Sequence, residues 1–83
     1  MPTVAREDGF VVKVYGPPRE HPPPHVHVER GGSEVVVIRL GAGVKPASVW
    51  RVHGMKDRDV VRAYRIVERH ADAIRKVWSE IHG

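Results

Sequence analysis

His25-Val26-His27-Val28-Glu29-Arg30-Gly31-Gly32-Ser33-Glu34-Val35-Val36-Val37-Ile38-Arg39-Leu40 is the stretch whose reading decides the fold. Residues 25–30 alternate strictly, so an extended chain puts Val26 and Val28 on one face and His25, His27 and Glu29 on the other. Residues 34–40 are a valine-rich run whose β-branched side chains suit a strand. Gly31-Gly32 between them leaves room only for a tight turn, which predicts an antiparallel hairpin.

Toward the N-terminus, Phe10, Val12 and Val14 alternate around Lys13, predicting a first strand over 10–15 preceded by an Asp8-Gly9 turn. The proline-rich connection that follows, from Gly16 to Pro24, cannot continue that strand, because proline fixes φ and donates no backbone hydrogen bond. It reads as an extended segment stiffened toward polyproline II. Toward the C-terminus, Gly41 to Pro46 is loop-like, and 49–52 is a short fourth strand or a turn. From Asp57, Val60, Ala63, Tyr64, Val67, Ala71, Ile74, Trp78 and Ile81 recur at steps of three and four. No glycine or proline interrupts the run, so one amphipathic helix over 57–82 accommodates it, with His70 as the place where it would break. The prediction is an α+β domain: a small antiparallel sheet of three to four strands packed against one long C-terminal helix.

A chain of 83 residues supports one domain with a modest core. The absence of cysteine removes disulfides, thiolate metal sites and cysteine nucleophiles. Hydrophobic residues at 41% and charged residues at 29% are a folded protein's composition, not a disordered tail's. The N-terminus lacks the basic start and apolar run of a signal peptide, and no segment has the length and apolarity of a membrane span. A cytoplasmic location without membrane binding is therefore expected. The formal charge of +4 favours a polyanion or an acidic protein partner.

His21, His25 and His27 fall within seven residues and carry three readings. Two strand histidines and a following carboxylate can form a facial triad for a divalent transition metal, here His25, His27 and Glu29, with His21 or His53 as additions. Alternatively, the same residues are the solvated face of a half-buried sheet. In the third reading, the histidines supply the base and the acid that RNA cleavage requires, with no cofactor, and Arg19, Arg30 or Arg51 stabilises the phosphorane charge. The prolines between His21 and His25 either bracket the cluster or shape a crossover.

On a helical period Arg58, Arg62, Arg65, Arg69 and Lys76 form a basic stripe opposite Val60, Val67, Ile74 and Trp78. The stripe either contacts nucleic-acid phosphates or is simply solvated. Trp50, Tyr64 and Trp78 read as core or interface anchors rather than base-stacking platforms.

Met1-Pro2-Thr3-Val4, His21-Pro22-Pro23-Pro24-His25-Val26-His27-Val28, His70 and Trp78 together resemble the small bacterial domain-of-unknown-function proteins marked by a His-x-Pro-Pro-His-x-His motif. The resemblance spans nearly the whole chain. It implies an antiparallel sheet with a C-terminal helix, and a neighbouring gene for a second small protein in a toxin–antitoxin-like pair of which this type is the toxin. The motif positions are His21, Pro23, Pro24, His25 and His27, while Gly41 to Trp50 and Ala71-Asp72-Ala73-Ile74 depart from the pattern. The leading expectation is a toxin acting on RNA and neutralised by that small cognate protein. The alternatives are a non-enzymatic, antitoxin-like module that forms a homodimer, and a metal-binding domain.

Overall fold

The computed structural model describes residues 3–15, 23–41 and 45–82. The chain folds into β1 (Thr3–Glu7), β2 (Phe10–Lys13), β3 (His25–Arg30), β4 (Glu34–Arg39), β5 (Ser48–His53), α1 (Asp57–Arg69) and α2 (Ala71–His82). The strands lie side by side in chain order, each antiparallel to the next. Asp8 and Gly9 both have positive φ, 51° and 82°, and join the paired residues Glu7 and Phe10 in a two-residue turn whose twist suits a hairpin. Gly31 and Gly32, at 64° and 81°, serve the β3–β4 turn, where a side chain would strain the backbone.

The α+β class is as expected, and the sheet is larger. β1 was not anticipated from the sequence: Thr3-Val4-Ala5-Arg6-Glu7 carries little apolar content, and a register shift between Thr3 and Ala5 breaks its alternation. The strand expected over 10–15 ends at Lys13, although Val14 still enters the core. The segment 49–52 is a full edge strand, and Trp50 is an extra residue where the register shifts opposite Val37 and Ile38.

The expected single helix is two helices. As one straight rod, residues 57–82 would run about 39 Å, longer than the domain's greatest dimension of 33 Å. The chain turns at His70 (φ −107°, ψ 14°), whose amide is shared between the carbonyls of Ile66 and Val67 and whose carbonyl accepts from Ile74 N. Glu7 on β1 accepts from Arg69 and approaches His70 Nε2 at 3.5 Å, fixing the corner against the sheet. Arg69 foremost, joined by His70, outweighs desolvation and holds the Glu7 carboxyl below its usual pKa.

Both helices cover the same face of the sheet. Phe10, Val12, Val14, Val26, Val28, Val36 and Ile38 meet Ala63, Ile66, Val67, Ile74 and Trp78 in one core. Asp59, buried in the first turn of α1, receives Arg30 at 2.7 Å and Arg62 at 3.4 Å, which ties the helix start to the end of β3. Among the described residues no helix is long and apolar enough to cross a membrane.

Ile74 is fully buried and belongs to α2, so Ile74→Ala is expected to cost about 2–5 kcal/mol in a denaturant melt, against near zero for exposed Val61→Ala. Equal small losses at both positions would mean that α2 is not part of the core.

Candidate functional site

Because the helices cover one face, the alternation of each strand sends the remaining side chains to the other. The register sets them in rows: Lys13, His27, Val37 and Arg51 lie side by side across β2–β5, and His25, Arg39 and Ser48 form the adjacent row. A third row runs Val11, Glu29, Val35 and His53. Between the first two rows lies a cleft of about 250 Å³ lined by His25, His27, Val37, Trp50 and Arg51.

His25 is 3% exposed and lies against both tryptophans, its ring centroid 5.4 Å from Trp50 and 5.3 Å from Trp78. Its Nδ1 lies 2.9 Å from the Pro23 carbonyl. A carbonyl only accepts, so Nδ1 carries the proton, and the lone pair of the neutral ring belongs to Nε2. The Pro23-Pro24 segment thus sets the tautomer of the histidine that follows it. Leu40 N donates to the Pro24 carbonyl at 2.9 Å, which anchors that segment to the end of β4. The His27 ring is 5.7 Å from His25 and meets the edge of Tyr15 at 4.7 Å.

Glu29 accepts from Lys13 Nζ at 3.0 Å through one oxygen and from Tyr15 Oη at 2.9 Å through the other. Partial burial pushes its carboxyl pKa up, but the hydrogen bonds from Lys13 and Tyr15, with the nearby charges of Lys13 and His27, hold it below the ordinary 4.5. The expected triad of His25, His27 and Glu29 shares one strand face. Yet among the described residues no three histidine, aspartate or glutamate side chains gather as a metal site would require. His21, the proline-rich connection 16–22 and Gly83 lie outside the described residues.

The arginines give the face its charge. The Arg39 guanidinium lies 4.0 Å over the Trp50 ring and that of Arg51 5.2 Å from it. Arg39 Nε is buried and, among the described residues, has no hydrogen-bond acceptor. Such a donor is costly in a finished core and common where a ligand supplies the acceptor.

The basic stripe is elsewhere. Arg58, Arg62, Arg65, Arg69 and Lys76 are all exposed on the helices, across the sheet from the histidines. Arg62 is engaged by Asp59 and Arg69 by Glu7, so two of the five hold the fold together. A larger hollow of about 540 Å³ between Gly9, Arg30, Glu34, Lys56, Arg58 and Asp59 is lined by the structural Arg30–Asp59 ion pair and, among the described residues, by no aromatic or histidine side chain. His82 stacks on Trp78 at 3.7 Å and bonds the Tyr15 carbonyl through Nε2 at 3.0 Å, so it clamps α2 to the end of β2. His70 is the helix corner.

Sequence reasoning named His25, His27 and Arg51 but missed Arg39, and it read Trp50 as a core or interface anchor without assigning it a face. Arg39 was within reach only if the turn takes in Ser33 as well as Gly31-Gly32, because Arg30 opposite Glu34 sets His25 opposite Arg39. Trp50 was not, because its side depends on the register shift.

A small antiparallel sheet with helices on one face and a histidine, tryptophan and arginine cleft on the other is the class of domain these features define. The chain belongs to the family described as domain of unknown function DUF4160, which matches residues 9–79. No curated protein and no solved structure matches it.

The sign of the Glu29 shift gives a pH test. A carboxyl held below 4.5 stabilises the fold above that pH, and the contribution is lost as pH falls through its lowered value. Glu29→Gln should therefore be less stable than the native chain at about pH 7, with the gap closing as the pH falls below the ordinary carboxylate range through the lowered value. A gap independent of pH would show that the carboxylate charge does not matter there.

Proposed function

We propose that this protein acts on RNA through the open face of its sheet, as the toxin of a toxin–antitoxin-like pair held in check by a small partner protein. The observation that carries the reading is the convergence in one cleft of two imidazoles, the Arg51 guanidinium and an exposed indole, with the Arg39 guanidinium stacked over that indole. The core lies on the other face. His25 and His27, 5.7 Å apart, are close enough to flank one phosphodiester.

The chemistry follows from the environments. His25, with Nδ1–H held by Pro23, uses Nε2 as the base that takes the 2′-hydroxyl proton. The freed 2′-oxygen attacks phosphorus, and His27, with the Glu29 carboxylate beside it, protonates the departing 5′-oxygen. The products are a 2′,3′-cyclic phosphate and a free 5′-hydroxyl. Arg39 and Arg51 face the charge that builds on the non-bridging oxygens. Trp50 offers a flat surface to a neighbouring base. No cofactor enters these steps.

A second reading, RNA binding without cleavage, is favoured by one observation: His25 is largely buried against Trp78, as a packing residue would be. A single assay separates the two. The purified chain, incubated with a mixed-sequence RNA and with the same oligonucleotide lacking 2′-hydroxyls, is expected to cleave only the RNA, leaving cyclic phosphate ends. His27→Ala should slow cleavage by roughly 10²–10⁴-fold, with circular dichroism confirming an intact fold, and expression of the native chain alone should arrest growth. Binding of both oligonucleotides without cleavage, unchanged in His27→Ala, would select the second reading. Neither binding nor cleavage, with no effect on growth, would sink both.

A further inference from the structure

The two edges of the sheet are treated differently. β1 is packed against α2 and pinned by the Glu7 pairs to Arg69 and His70. Among the described residues nothing covers β5: all six residues Ser48–His53 are exposed, and neither lysine nor proline, the usual guards of an edge, occurs among them. Among the described residues the large hydrophobic ones left exposed are Val49 at 44%, Trp50 at 40%, Val52 at 45% and Val61 at 48%, all on β5 or on the neighbouring turn of α1. Beside β5, Val49, Val60, Val61 and Tyr64 line a groove of about 260 Å³.

We infer that β5 pairs with β5 of a second copy of this chain, about a two-fold axis passing between Trp50 and Arg51. The argument is self-complementarity. A two-fold perpendicular to a sheet pairs residues that point to the same face. In a regular strand successive residues alternate, so the axis must pass through a residue. Here the extra residue at the register shift leaves Trp50 and Arg51 both lining the open-face cleft, while Val49 and Val52 stand opposite Ile38 and Val36 on the helix face.

Antiparallel pairing about that axis therefore sets Val49 against Val52 of the second copy and Trp50 against Arg51 of the second copy. Ser48 falls opposite His53. Apolar meets apolar on the helix face, at the mouth of the Val49–Val61 groove, and indole meets guanidinium on the open face, a favourable cation–π pair. A register shift ordinarily guards an edge by twisting it away, but one centred on a two-fold meets its own copy. The result is one continuous ten-stranded sheet, with all helices on one side and two clefts adjoining across the axis, each reached by an arginine from the other copy.

The pairing stands apart from the RNA reading, and the experiment keeps the two separate. Sedimentation of the full chain at micromolar concentration is expected to give twice the mass of one chain. Val52→Lys, which puts an ammonium against Val49, should halve that mass with the circular dichroism unchanged. Because the chain has no cysteine, Val49→Cys and Val52→Cys can each be made as the sole thiol. Oxidation of the two mixed should give a disulfide-linked heterodimer, and oxidation of either alone should give none. A native chain that sediments as a monomer overturns the pairing, and leaves the RNA reading intact if that monomer still cleaves. A dimer that yields no mixed disulfide, or links equally through either cysteine alone, overturns the register and the proposal with it.

Discussion

A sheet of five strands has two faces, and two helices of about a dozen residues can cover only one of them. The core residues Phe10, Val12, Val26, Val28, Val36 and Ile38 therefore face the helices, and the same alternation forces the residues between them, Val11, Val35 and Val37 included, onto the opposite side. That opposite side cannot be left as bare backbone and small side chains. It is closed by Tyr15, His25, His27, Arg39 and Trp50 lying against one another, which is why Val37, on that face, is still 7% exposed and no more. The candidate site is thus also the lid of the sheet's second face, and the residues proposed for chemistry serve packing as well.

This double duty explains the mixture of environments in the cleft. Residues near the centre of the sheet, His25 above all, are held by neighbours on both sides, and their orientation is set before any ligand arrives. Trp50 and Arg51, on the edge strand, are exposed. Preorganised groups at the centre and adaptable ones at the rim are what the proposed RNA reading requires of its site.

Much of this was legible in the sequence, for identifiable reasons. The β3–β4 hairpin followed from strict alternation and a glycine turn, and with it the shared face of His25, His27 and Glu29. The helical run was read correctly in its apolar spacing, but spacing says nothing about length against the size of the domain, so the corner at His70 was foreseen only as a weak point. β1 was missed because its core-facing content is small and its pairing is irregular. The face on which Trp50 lies was not readable, because one extra residue reverses the side to which a strand residue points, and periodicity cannot show where such a residue falls. The arginines of α1 were grouped by their helical period, yet Asp59 and Glu7, which engage two of them, became visible only once the strands were placed beside the helices.

The corner at His70 connects the far end of the chain to the site. By turning α2 back over the sheet, it brings Trp78 to the ring of His25 and His82 to the carbonyl of Tyr15. Tyr15 in turn holds Glu29 and the edge of His27. Both histidines of the cleft are thereby braced by the last two turns of the C-terminal helix, His25 directly and His27 through Tyr15. What fixes that helix is a charge cluster at Glu7 on the strand farthest from β5. A change at Glu7 or Arg69 that moves α2 reaches the cleft through Trp78 against His25 and through His82 on the Tyr15 carbonyl. That is the physical reason for a helix histidine and a tryptophan eight residues later to belong with a histidine cluster some fifty residues upstream.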